Sequence, residues 1–434
     1  MAVYCSTKHS TYMMRLCFVL ALSLLAFSIN RPMHSQEQRQ TVSRHYLFAW
    51  TGDAANKRAG CSADCGAEGP EGYGKDFLAV IDADPASPSY GHLVATVATD
   101  QQTMYVHHTE YTMPASGMLF ANDHDAGRTF IFDLRDPLHP SVETSFTDMA
   151  GYMHPHSFVR LPNGHVLATF QHAHHGASER SMGTSGGLVE IDDQGKVVRA
   201  SSNADPRFPD ALLSPYGLVV LPESDRVVST NSSMHQDDVF RGVTYQIWRL
   251  ADLRLLKTEY LDVGENRYAQ ISPEEPRLGP DGSIFIQTLS CGLERITGVT
   301  TDQARSQLVY TFPGNWCGVP TVIGHYLVQS VPAEHALIVL DIRNGAKPVE
   351  VSRLRISETF KPHWTGWDAK TRRLVVTGRE PRLFLVKLDQ STGALTMDDS
   401  FHDTDGKPGF NFADREWPHG WKGSGLPHGV VFSR

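Results

Sequence analysis

The sequence predicts an all-β, seven-bladed β-propeller, closed by pairing the C-terminal strand with N-terminal strands. Three observations predict it. First, one hairpin design recurs: a polar start holding Pro or His, a short apolar strand, a Gly- or Asn-containing turn and a second strand. Met153-His154-Pro155-His156-Ser157-Phe158-Val159-Arg160-Leu161 is its clearest copy, turning at Pro162-Asn163-Gly164 into Val166–Phe170. Second, each copy is followed by two more strand-like segments, so the period is about fifty residues and the unit has four strands. Third, the last copy, Leu426–Phe432, lacks its remaining strands, and three unclaimed strands stand at the other end of the chain. Closure of that kind hides sheet edges. A sandwich or two barrels does not explain complementary fragments at both ends.

The elements follow in order. Lys8 and Arg15 precede the apolar run Leu16 to Phe27, which is too short to span a bilayer comfortably and is followed by polar residues. Residues 1–35 are expected to be a signal peptide and residues 36–434 a single propeller domain, periplasmic or secreted. Tyr46–Trp50, Phe77–Ile81 and His92–Val97 supply the closing blade. Blade 1 is expected at Thr109–Met113, Gly117–Asn122, Arg128–Leu134 and Ser141–Thr147, directly after His107-His108. Blade 2 continues from its hairpin through Gly187–Ile191 and Lys196–Ser201. Blades 3 and 4 start at Tyr216 and Pro276. Blades 5 and 6 start at Cys317 and His363.

Composition bounds the partners. The 434 residues carry a net charge of −9 with no long basic run, so nucleic acid and an anionic membrane surface are excluded as main partners. No membrane contact is expected after signal removal, and protein partners stay open. Cys61, Cys65, Cys291 and Cys317 remain after the signal. An even count in an exported chain permits disulfides, with Cys61 and Cys65 the easiest pair by spacing; four buried thiols are the other reading.

The chemistry is in the histidines, 21 in all. In a four-stranded blade the first strand lines the central channel, and the loops before it share one face, the top. His107, His108, His156 and His428 start the first strands of blades 1, 2 and 7, which are consecutive, and His363 is a further candidate from blade 6. Any one of them alone reads as a hydrogen-bonded channel residue. Their common register points to a divalent metal, because neutral imidazole is a ligand for zinc and copper. Glu274, Glu275 and Cys317 face the arc from blades 4 and 5. Of these, Glu275 and Cys317 are the candidate helpers, as an added ligand or a base. His172, His174 and His175 lie in a polar loop and are expected to face solvent. There is no phosphate-cradling Gly-rich loop with Lys and no Gly-x-Ser-x-Gly elbow. A lactonase-like hydrolase would want more channel carboxylates.

Phe77-Leu78-Ala79-Val80-Ile81-Asp82, Ser87-Pro88-Ser89-Tyr90, His107-His108, Pro155-His156-Ser157 and Pro427-His428-Gly429 occur in this order. In these motifs the chain resembles the selenium-binding protein and methanethiol oxidase family. The resemblance implies a seven-bladed propeller and an exported copper enzyme, with copper held by His107, His108, His156 and His428. It implies methanethiol and O2 as substrates, and formaldehyde, hydrogen sulfide and hydrogen peroxide as products. A non-catalytic selenium- or metal-binding propeller is the alternative. Two departures bear on the substrate: Thr109-Glu110-Tyr111 follows the His pair, and the chain stops soon after His428.

Overall fold

The computed structural model describes residues 45–56, 73–173, 185–234, 238–262 and 271–434. The expected signal peptide, Cys61, Cys65, His174, His175 and His235 lie outside them. Seven antiparallel sheets form a ring, a seven-bladed propeller. From the inside outwards, blade 1 is Val106–Thr109, Met118–Asp123, Arg128–Asp133 and Ser141–Phe146. Blade 2 is Tyr152–Arg160, Val166–Ala173, Gly187–Ile191 and Val197–Ser202. Blade 3 opens with Pro215–Leu221, blade 4 with Pro273–Leu278, blade 5 with Thr321–Ile323 and blade 6 with Pro362–Asp368. The innermost strand of blade 7 is Gly425–Phe432, and its outer three are Tyr46–Asp53, Lys75–Asp82 and Leu93–Gln102. The chain therefore closes as the split repeat requires, with Leu47 opposite Phe432 and Ala49 opposite Val430.

Two elements differ from expectation. The innermost strand of blade 1 is Val106–Thr109, so the His pair lies within the strand and not before it. The segment after Thr109 leaves the sheet instead of forming a strand over Thr109–Met113. Residues 398–424 make an addition between blades 6 and 7. Phe410–Asn411 pairs with Arg382–Leu388 as a fifth strand, and Arg415–Glu416 pairs with Lys422–Gly423. Phe401, Phe410, Phe412 and Trp417 of this addition are buried against Phe77 and Val430, so it seals the closing blade from outside.

Flat apolar faces of neighbouring sheets pack together around the ring. Trp50 of blade 7 meets Phe130 and Phe132 of blade 1 at ring distances of 5.8 and 5.5 Å. Each fully buried side chain of this kind stabilises the fold by roughly 1.5–3 kcal/mol.

One irregularity repeats in six of the seven innermost strands. Two consecutive residues oppose a single residue on the next strand, a β-bulge. The bulged pairs are His107-His108, His156-Ser157, Tyr216-Gly217, Glu274-Glu275, His363-Trp364 and His428-Gly429. Five of these pairs follow a proline: Pro155, Pro215, Pro273, Pro362 and Pro427. Proline has no N–H for the ladder and is tolerated in sheets at such breaks.

Candidate metal centre

The bulges explain how adjacent residues can both serve the channel. In a regular strand, successive side chains point to opposite faces. An inserted residue breaks that alternation, so the rings of His107 and His108 lie stacked 4.0 Å apart.

The side chain opposite each bulge fastens it. Asn122 Oδ1 accepts the N–H of His108, and its Nδ2 donates to Pro155 O at 2.6 Å. Thr169 accepts the N–H of Ser157 and donates to Tyr216 O at 2.7 Å. Thr230 accepts the N–H of Gly217 and donates to Glu274 O at 2.6 Å. Gln287 accepts the N–H of Glu275. Thr377 donates to His428 O at 2.7 Å, and Trp50 Nε1 donates to Asn122 O at 2.7 Å. Five of the seven junctions between blades are thus tied at the height of the histidines.

Three of the predicted ligands come together. Nitrogens of His107, His108 and His156 lie within 4.8 Å of one another, all buried. His107 Nε2 and His156 Nε2 are 3.0 Å apart, close enough to share one ion at ordinary metal–nitrogen distances. The ring of His428 is 4.4 Å from that of His107 and 5.7 Å from that of His108. The ring of His363 lies 4.8 Å beyond His428, stacked on Trp316.

Hydrogen bonds fix two tautomers. A carbonyl only accepts, so His156 Nδ1 carries the proton that it donates to Tyr216 O at 3.1 Å. Its Nε2 keeps the lone pair, facing His107 and His108. Ser157 Oγ donates to Glu275 Oε1 at 2.8 Å and is left to accept from His108 Nδ1 at 3.3 Å. His108 Nε2 is therefore also free to bind. Glu275, fully buried, has its other oxygen 3.5 Å from Arg277. It acts on the site through Ser157 and lies 3.6 Å from His108. Polar support of this kind orients ligating imidazoles in metal sites generally.

The electrostatics agree. His107, His108, His156 and His363 are held well below the usual imidazole pKa, by burial first and then by neighbouring charged groups. Burial likewise pushes His428 down to about 3. All are neutral near pH 7, the form that binds metal. Neither nitrogen of His428 makes a well-formed hydrogen bond, and Nδ1 of His107 and of His363 is also unpartnered. Buried polar atoms are normally paired, and a cation in the cluster would give one nitrogen of His428 a partner. The donor set fits a borderline or soft divalent metal.

The remaining candidates fall elsewhere. Cys317 is bonded to Cys291, with a Cα separation of 5.1 Å, so it offers no thiol and its candidacy as a helper is withdrawn. This is also the pairing that spacing did not single out. Glu274 accepts a hydrogen bond from Gln287 at 2.6 Å, and burial raises its pKa to about 8. His172 is half-buried with its ring 5.7 Å from His154, away from the cluster. His124, whose Nε2 donates to Gln171 Oε1 at 2.7 Å, packs 5.8 Å from both His107 and His156. Sequence reasoning missed Ser157, Tyr216, Arg277 and Trp364, whose ring lies 5.0 Å from that of His108. Their one signal was position, since Ser157, Tyr216 and Trp364 occupy bulge sites. Asp82 shows what the Ser87-Pro88-Ser89-Tyr90 motif does: its carboxylate accepts from Ser87 and Ser89 and pins a turn remote from the histidines.

Comparisons now bear on the fold and the site. A curated protein named methanethiol oxidase from Hyphomicrobium sp is 38% identical over 90 residues, 20% of this chain and 20% of that one. Another of that name, from Ruegeria pomeroyi (strain ATCC 700808 / DSM 15171 / DSS-3), is 28% identical over 137 residues, 30% of each. The matches thus span less than a third of those relatives' lengths. No family model matches the chain. A hypothetical selenium-binding protein from Sulfolobus tokodaii superposes with a TM-score of 0.66 at 14% identity, covering 91% of this chain and 94% of that one. A periplasmic gluconolactonase from Pseudomonas aeruginosa gives 0.58 at 12% identity, covering 90% and 99%. At such identities the structural likeness is one of fold. The sequence matches agree with the resemblance to the selenium-binding protein and methanethiol oxidase family.

Proposed function

We propose that the protein is an exported, copper-dependent oxidase of small thiols. It converts a thiol such as methanethiol, with oxygen and water, to formaldehyde, hydrogen sulfide and hydrogen peroxide. The observation that carries this reading is the cluster of buried, neutral imidazoles with two tautomers set for binding and several nitrogens unpartnered. The two relatives named methanethiol oxidase support the reaction.

His107, His108, His156 and His428 would hold the ion, and His363 would stand behind His428. Copper, when bound, supplies one-electron chemistry between thiol and oxygen. The chain's own groups do the rest. Tyr216 O and Ser157 keep the protons of His156 and His108 on the nitrogens that face away from the cluster. Glu275 keeps the Ser157 hydroxyl turned so that it accepts from His108. Burial excludes water from the imidazoles, with His107 and His108 each 1% exposed. The buried Cys291–Cys317 disulfide supports an oxidising compartment.

That same burial favours a second reading, in which the propeller holds a metal or selenium species without turnover. Copper per chain and peroxide formed from methanethiol separate the two. The oxidase reading expects about one copper and thiol-dependent peroxide, both falling sharply in His428→Ala. Full copper with no oxidation of any thiol would leave the binding reading. Full copper and full activity in His428→Ala would remove this site from consideration.

A further inference from the structure

On the bottom face, where the inner strands end, three side chains from distant parts of the chain meet in series. Ser433 follows the last strand, His45 precedes Tyr46–Asp53 and Asp368 ends the inner strand of blade 6. Ser433 Oγ lies 3.0 Å from His45 Nδ1, and His45 Nε2 lies 2.9 Å from Asp368 Oδ2. Asp368 also accepts the N–H groups of Lys370 and Thr371, at 3.0 and 2.9 Å, and the Thr371 hydroxyl. Burial opposes its charge, but the hydrogen bonds of His45 and Thr371 outweigh burial and hold its pKa at about 2. An ionised carboxylate only accepts, so His45 Nε2 carries a proton and Nδ1 keeps its lone pair. Ser433 Oγ therefore donates to His45, while it accepts the N–H of Tyr46 at 3.0 Å. Phe432 stacks on the His45 ring, 5.8 Å between centroids and 11° between planes, which holds the imidazole in that line.

The serine is open to ligands while its base is sheltered. Ser433 is half-buried, whereas His45 is 1% exposed. Ser433 itself lines two open clefts, of about 580 and 390 Å³. Met113, Trp367 and Phe432 give the larger cleft an apolar wall, and Phe48, Leu134 and Pro137 do so for the smaller. A molecule in either cleft thus meets the serine directly. The N–H of Arg434, the next residue, makes no hydrogen bond among the described residues. In hydrolases the backbone N–H after the nucleophilic serine serves as an oxyanion donor. A hydroxyl, an imidazole base and a carboxylate in hydrogen-bond series are recognised as a nucleophilic set by their geometry, whatever the fold.

We propose that Ser433 and His45, with Asp368 as a positioning residue, form a second catalytic centre that hydrolyses small uncharged carboxylic esters. It needs no metal and is independent of the thiol-oxidising reading. Ser433 Oγ bonds to the ester carbonyl carbon as its proton passes to His45 Nδ1. The carbon–oxygen bond to the alcohol then breaks, and His45 gives that proton to the departing oxygen. Water attacks the acyl-serine, passing a proton to His45; the acid leaves and the proton returns to Ser433. The apolar clefts on either side of Ser433 suit the acyl and alcohol groups of an uncharged ester.

The test uses the metal-free full chain and p-nitrophenyl butyrate. Hydrolysis above the buffer rate is expected, with kcat falling about 100-fold or more in Ser433→Ala, the scale of positioned acid–base catalysis. Asp368→Asn should lower kcat with little change in KM, a split that a merely structural role would not produce. A second readout needs no turnover: a fluorophosphonate, which phosphonylates activated serines with loss of fluoride, should add once to the parent, at Ser433, and not to Ser433→Ala. Peptide mass spectrometry locates the adduct, and melting curves show that each variant is folded. Folded parent protein that fails either readout would overturn the inference, and so would ester hydrolysis that persists at the parent rate in Ser433→Ala.

Discussion

At the scale of single residues, the site depends on where protons sit. Ser157 is the hinge of that arrangement, because its hydroxyl donates to Glu275 and so leaves its oxygen to accept from His108. Ser157→Ala should weaken copper binding about 10–100-fold, the usual cost of losing an outer partner of a ligating imidazole. It should also cost about 1–3 kcal/mol of stability, because the buried Glu275 Oε1 loses its donor; a competitive copper titration on the folded variant checks the affinity. The depressed histidines also set a pH dependence. Their folded pKa lies below the unfolded value of about 6.5. Below that pH the unfolded chain takes up protons that the native site refuses, so stability is lost as pH falls and is intact above it. In metal-free protein the stability gap between His428→Ala and the parent should therefore shift in favour of the variant from pH 7 to pH 5. Equal gaps at both pH values would sink the argument. Glu294 has the opposite sign. Its buried carboxyl has no hydrogen-bond partner and burial raises its pKa to about 8, so stability drains away as pH rises from about 4.5 towards 8. Glu294→Gln should stabilise by about 1–3 kcal/mol at pH 8 and by little at pH 4, measured by urea unfolding. The identities of the histidines were legible in the sequence. Their tautomers were not, because those are set by Tyr216 O and Ser157, which no spacing rule connects to His156 and His108.

At the scale of elements, the blades were legible and the bulges were not. Alternating apolar residues and turns such as Pro162-Asn163-Gly164 mark strands by local chemistry. A bulge is marked only by its consequence, two neighbouring side chains on one face, which a period of two forbids. For that reason the inner strand of blade 1 reads from sequence as beginning after His107-His108, whereas it contains them. The repeated Pro before the pair was the visible trace. The bulges also bring neighbouring strands very close. A Cβ on Gly429 would lie 2.6 Å from Thr109 N and 3.0 Å from His107 O. Gly429→Ala should thus push blade 7 away from blade 1 at the metal ligands, costing about 1–3 kcal/mol as overpacking does. Copper affinity should fall with it, although no ligand has been touched. An unfolding midpoint together with a copper titration would show both effects, and a loss of stability with full affinity would contradict the proposed role of this contact.

At the scale of the whole molecule, ring closure and the candidate site are one piece of construction. The last strand supplies both the inner edge of blade 7 and His428, and it lies between blades 6 and 1. Trp364 of blade 6 donates to Val430 O at 3.0 Å, and Trp50 of blade 7 donates to Asn122 O of blade 1. The split repeat made this closure legible, since the two ends carry complementary strands. The sealing addition at residues 398–424 was not legible, because its short strands follow no repeat. Two substitutions in the same strand separate the roles. His428→Ala removes a ring that makes no well-formed hydrogen bond, so the ring of blades should stay closed while copper is lost. Val430→Pro keeps His428 but places a residue without an N–H, and with a fixed backbone angle, opposite Ala49 in the buried sheet. It should cost about 3 kcal/mol or more and lower copper affinity as well, because His428 can reach His107 only from a docked strand. Limited proteolysis should then cut Val430→Pro within Gly425–Phe432 and spare His428→Ala. If Val430→Pro kept both its protection and its copper, the site would not depend on closure, and His428 would have to reach the other imidazoles by some route other than the last strand.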